Sequence, residues 1–126
     1  MTETTELTEQ QRKQDTFNAV WAHSKTMTHR SYNAARQVCM YRNDDGNKCF
    51  FGALIPDERY ETQMEGNVAG DVLNIFSTLS ELLFDQGYSV ADGFINGLQG
   101  AHDRYFETRQ QRLTELAGMY QLTVPE

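Results

Sequence analysis

Between Asp71 and Gly87 apolar side chains recur at Val72, Ile75, Phe76, Leu79, Leu82 and Leu83, and this spacing constrains the fold more than any other stretch of the sequence. Residues three and four apart share one face of an α-helix, so the pattern predicts a helix from Asp71 that must bury that face, with Gly87 as its C′ residue. Three more helices are predicted around it. Thr8 with Gln11 reads as a capping box opening a helix that runs to about Lys25 and carries Phe17, Val20 and Trp21 on one face. Ser89 can cap a helix with Phe94, Ile95, Leu98 and Ala101 on one side. Its Gly93, Gly97 and Gly100 each weaken it by about 1 kcal/mol relative to alanine and are expected to allow close backbone packing. A last helix carries Tyr105, Phe106, Leu113, Leu116 and Tyr120 and ends before Val124 and Pro125.

One segment reads differently. Gln37-Val-Cys-Met-Tyr-Arg42 and Lys48-Cys-Phe-Phe51 are β-prone runs flanking Asn43-Asp-Asp-Gly-Asn47, where Gly46 supplies a positive φ, so a β-hairpin is predicted. The turn is not a calcium loop, because Tyr41 stands where an oxygen ligand is needed and no glutamate closes it. Gly52-Ala-Leu-Ile55 then leads into Pro56-Asp-Glu58, a short helix start or a sharp bend. Thr26 to Ala35 lacks a clear period and reads as a loop or a short helix. With 126 residues the chain suits one domain. The expected architecture is therefore α+β, about four helices packed around a β-hairpin over residues 8–126, after a flexible N-terminus at residues 1–7.

The charge is regional. Asp57, Glu58, Glu61, Glu65, Asp71, Glu81, Asp85 and Asp92 stand against Arg59 alone, so this stretch accounts for the whole net charge of −7 and the remainder is balanced. Such a concentration can steer a basic partner. Its bland counterpart is a solvated helix face balanced in space by Arg104, Arg109 and Arg112. An acidic chain argues against duplex nucleic acid as the primary ligand, and no apolar run is long enough for a membrane span. The first residues lack the ordered basic and apolar regions of a targeting peptide, which makes cytoplasmic residence the expectation.

Candidates for chemistry are few. Cys39 and Cys49 sit on opposite arms of the predicted hairpin; a disulfide between them is geometrically possible, but two reduced, mostly buried thiols are expected in a cytoplasmic protein. Their spacing is not a zinc-ribbon pattern, and no metal or other cofactor is expected. Cys49 with His102 as its base would make a nucleophile. Asp103 is expected not to orient His102, since adjacent helical residues point about 100° apart. The bland alternative is a packed cysteine and a hydrogen-bonded histidine. Tyr41 and Arg42, with Tyr32 and Arg36, interleave aromatic and basic character that could hold a nucleotide or a nucleic-acid end. Signatures for nucleotide loops, zinc proteases and esterases are absent.

Cys39-Met-Tyr-Arg42, Gly46-Asn-Lys-Cys49, Gly52-Ala-Leu-Ile-Pro-Asp-Glu58 and Tyr60, continued by Glu65-Gly66, Leu98-Gln99 and His102-Asp103, resemble a family of small uncharacterised proteins of bacteria and their tailed phages. The likeness spans about Trp21 to Ala117. Where that family often carries an aromatic residue before a Leu-x-x-Leu-Ala element, this chain has Arg109-Gln-Gln-Arg112. The resemblance implies a phage or prophage setting and no particular activity. The leading expectation is a cytoplasmic accessory protein that binds a basic face of a host protein through Asp57, Glu58, Glu61 and Glu65, with Tyr41 and Arg42 as further binding candidates. The alternatives are a Cys49–His102 hydrolase or transferase, and a homo-oligomeric sponge for small molecules or nucleotides.

Overall fold

The computed structural model describes residues 8–27, 31–33, 38–43, 46–104 and 106–125. The expected flexible segment at residues 1–7, Asp44 and Asp45 of the predicted turn, and Arg36 lie outside the described residues.

Helix α1 spans Glu9–Thr26 and opens as its sequence dictates. Thr8 Oγ1 accepts the Gln11 N–H, and the Gln11 side chain accepts the Thr8 N–H in return. Thr16, Phe17, Val20 and Ser24 form its buried stripe. At its other end Arg109 reaches across to donate to the Ser24 and Met27 carbonyls, which the helix end leaves without intrahelical partners.

The single helix expected over Asp71–Gly87 is two, α2 at Ala69–Ile75 and α3 at Ser77–Asp85. Phe76 breaks the run with φ −103° and ψ 74°. The apolar stripe was less continuous than its spacing suggested, because Ile75 is 61% exposed while Val72, Leu79 and Leu83 are buried. Turning at Phe76 lets α2 pack on α4 (Asp92–Asp103) while α3 keeps its own buried face. Gly87 does close α3. Its φ of 94° lies in the left-handed region, and the bonds from Tyr88 N–H to the Leu83 carbonyl and from Gly87 N–H to the Phe84 carbonyl form a Schellman cap. Helix α5, Arg109–Met119, packs against α1 and α4.

The α+β expectation is overturned. The described residues are a helical fold of five α-helices and four 3-10 turns. β pairing among them is confined to two-residue segments, β1 (Tyr32–Asn33) antiparallel to β2 (Val38–Cys39), and one bridge between Arg42 and Lys48. Two causes defeat the hairpin. Successive N–H groups of an extended strand point to opposite edges, yet those of Tyr41 and Arg42 both donate to the Glu65 carboxylate, at 2.9 and 3.1 Å, so the chain is bent there. The second arm is buried without alternation at Cys49, Phe50 and Phe51, and it coils as Ala53 N–H bonds back to the Cys49 carbonyl. Gly52 sits against the bend. A Cβ there would lie 2.1 Å from the Tyr41 carbonyl oxygen, so only glycine fits.

Candidate functional site

The C-terminal half of α4 carries Gln99, His102 and Asp103, and these three side chains tie separate segments together. His102 is fully buried, in T-shaped contact with Phe50 and Phe106. Its Nε2 accepts the Ser31 backbone N–H at 3.0 Å, and Nδ1 meets Asp103 Oδ1 at 2.7 Å. Since the backbone N–H can only donate, Nε2 is the acceptor and the ring proton sits on Nδ1. Gln99 donates to the same Asp103 oxygen at 2.8 Å and accepts the Phe51 N–H at 2.9 Å.

Asp103 therefore does orient His102, contrary to expectation. At the final helical position its carboxylate folds sideways to the neighbouring ring, a short reach that the separation of the two Cα–Cβ directions does not forbid. Cys49 and His102 are not joined. Cys49 is fully buried, its sulfur accepts the Gly52 N–H at 3.1 Å, and burial pushes its thiol pKa well up, away from the thiolate a nucleophile needs. Both His102 nitrogens are engaged elsewhere. The cysteine beside the His102–Asp103 pair is Cys39, whose thiol faces the Asp103 carbonyl at 4.0 Å. No disulfide links the two cysteines.

Donor atoms of Cys39, His102 and Asp103 lie within 4.8 Å of one another, which raises the question of a metal. The ring chemistry does not fit one. A metal needs a nitrogen lone pair; that of Nε2 receives the Ser31 N–H, and moving the ring proton to Nε2 to release Nδ1 would set two hydrogens face to face.

The acidic residues expected to form one docking face have divided roles. Glu65 is half-buried and works inward: besides the two backbone bonds it receives the Tyr60 hydroxyl at 2.5 Å, and that bond adds to desolvation in raising the Tyr60 pKa. Asp57 is exposed and pairs with Arg42 at 2.9 Å and Lys48 at 3.4 Å; the Lys48 bond first, then both positive charges, hold its carboxyl below the ordinary value. Glu58 and Glu61 are exposed and make no ion pair among the described residues. Arg42 also donates to the Ile55 carbonyl and stacks on Tyr60. Tyr41 is buried; its hydroxyl donates to the Asn67 carbonyl, and desolvation raises its pKa. Of the three arginines expected to balance the acidic stretch, Arg109 caps α1 and Arg112 pairs with Glu115 on its own helix.

Sequence reasoning missed the cleft that these elements leave open. It holds about 740 Å³ between α4, residues 39–41 and residues 65–69, with Arg104 and Arg112 also lining it. Cys39 and Asp103 stand in one wall. Two glycines of α4 face it. A Cβ on Gly97 would come within 3.3 Å of Leu116, a packing reason for glycine, whereas one on Gly100 would meet nothing within 4 Å. The helix-interior Gly100 was visible in the sequence, but its open surroundings were not.

No helix is long and apolar enough to cross a membrane among the described residues. No protein-family model matches the chain, and neither curated proteins nor solved structures give a significant match.

Proposed function

We propose that this chain acts by binding, and that its ligand is a small organic molecule held in the cleft between α4 and residues 39–41 and 65–69. The observation that carries this reading is Gly100 in the lining of the cleft. Gly100 weakens α4 by about 1 kcal/mol relative to alanine, and no protein atom requires it. Glycine at such a place leaves room for a ligand to approach the backbone. A cleft of about 740 Å³ is within the size range of small-molecule sites. Covalent catalysis by Cys49 and His102 lacks support, because the thiol is sealed in the core and neither ring nitrogen is available to it. A ligand-observed NMR fragment screen tests the reading: hits should bind the wild type and fail to bind Gly100→Leu, which adds a bulky side chain to the cleft lining. Equal binding to both proteins would refute it.

A second reading keeps the phage setting and the basic host partner. Glu58, Glu61, Asp71, Glu81 and Asp85 are exposed and form no ion pair among the described residues, so the acidic stretch retains an unneutralised component. Recovery of the same partner from bacterial lysate by Glu58→Lys/Glu61→Lys and by the wild type would remove this mode. Glu65 is left unchanged in that test because it holds the 41–42 bend.

A further inference from the structure

We infer that the cleft ligand carries an oxyanion, a phosphate or carboxylate on an organic body, recognised by Arg104, with Asn96 as a second donor lining the same cleft. This inference rests on the cleft being the binding site. Its ground is the direction in which the polar groups of the wall are used. The acceptors face inward. Glu65 receives the Tyr41 and Arg42 N–H groups and the Tyr60 hydroxyl, Asp103 Oδ1 receives His102 and Gln99, and Gln99 has its oxygen on Phe51. The donors differ. Asn96 is exposed and uses its side-chain oxygen to accept the Gly70 N–H at 2.8 Å, which turns its amide NH₂ to serve as a donor. Arg104 is exposed and its guanidinium makes no ion pair among the described residues. Arg112 brings a second guanidinium to the same cleft.

Arg112 is already paired with Glu115, and the Glu65 and Asp103 carboxylates are turned to protein donors, so the attraction for an anion is local to Arg104 rather than spread over the cleft. That arrangement selects a ligand with one anionic end and a neutral body, not a polyanion. A guanidinium fork matches a carboxylate or phosphate bidentately, and a charge-assisted pair of this kind contributes more than a neutral hydrogen bond.

The test is a titration of the ¹⁵N-labelled chain with phenyl phosphate and with phenol at matched ionic strength, following the Asn96 side-chain amide and Arg104 Nε. Phenyl phosphate is expected to give saturable shifts at both groups and phenol to bind at least about tenfold more weakly. Arg104→Gln should weaken phenyl phosphate by a similar factor, while Arg59→Gln, an exposed residue outside the cleft lining, should not. Phenol binding as well as phenyl phosphate, or Arg104→Gln binding like the wild type, overturns the oxyanion; if Gly100→Leu still abolishes both probes, the cleft itself stands. Absence of saturable shifts with either probe overturns both.

Discussion

Ser31 donates its backbone N–H to Nε2 of His102 across 3.0 Å, and this bond joins the chain just ahead of β1 to the end of α4, 71 residues away. It also fixes the ring tautomer, so that Nδ1–H faces the Asp103 carboxylate. The imidazole thus serves as a two-ended connector. That role explains why a histidine is buried against two aromatic rings.

Truncating the connector should be costly. His102→Ala leaves the Ser31 N–H without its acceptor and opens a cavity beside Phe50, and the expected loss is about 3 kcal/mol in urea unfolding. His102→Gln can place its side-chain oxygen near the position of Nε2 and should recover about 1 kcal/mol of that loss. Equal losses for the two variants would show that the acceptor at Nε2 contributes nothing.

The two thiols should react very differently. Cys39 is half-buried in the cleft wall, whereas Cys49 is fully buried, with its pKa raised by desolvation. With a disulfide reagent such as Ellman's, the native protein should release one equivalent, and Cys39→Ser should release none until it is unfolded. Prompt reaction of Cys49 in the Cys39→Ser protein would restore it as a candidate nucleophile.

The bend at Tyr41 can be tested through Gly52. Alanine there would bring its Cβ to 2.1 Å from a backbone oxygen, which no rotamer change can relieve. Gly52→Ala should cost about 3 kcal/mol or more, seen as a lowered thermal midpoint. A near-neutral result would mean that the 49–52 turn moves away from Tyr41 at no cost.

What could be read from the sequence follows the range of the interaction. The capping box of Thr8 and Gln11 and the C′ role of Gly87 are set within a few residues, and each has a local signature. Glu65 had none. Its backbone partners lie 23 and 24 residues earlier, and its carboxylate takes two successive N–H groups, of which a hairpin would have turned only one to its second arm. The same holds for the cleft, whose walls come from four separate segments. Even a local pattern misled at Ile75, where helical spacing could not reveal which side of the helix would find a neighbour.

Asp57 gives a pH-dependent observable. Lys48 and Arg42 hold its folded-state carboxyl below the ordinary 3.8, so the pairs contribute above that value and are lost as pH falls through the lowered one. Carboxyl ¹³C shifts should place its midpoint under 3.8, and Lys48→Met should move it upward. The effect on stability should be small and screened by salt, since the carboxylate is exposed. A midpoint unmoved by Lys48→Met would show that the lysine is not held in place.

Gly100 sets stability against binding in a single position. A methyl group there meets open space, so Gly100→Ala should raise stability by about 0.5 to 1 kcal/mol through helix propensity alone. The substituted carbon also projects into the cleft, so the same variant should bind cleft ligands more weakly, and Gly100→Leu more weakly still. A glycine retained for a ligand predicts both changes together, a more stable protein that binds less. Urea unfolding and fragment titration on one preparation read the two quantities side by side. Stabilisation with undiminished binding would detach the glycine from the ligand, and destabilisation would mean that the helix backbone at Gly100 is held by a contact other than those around its Cβ.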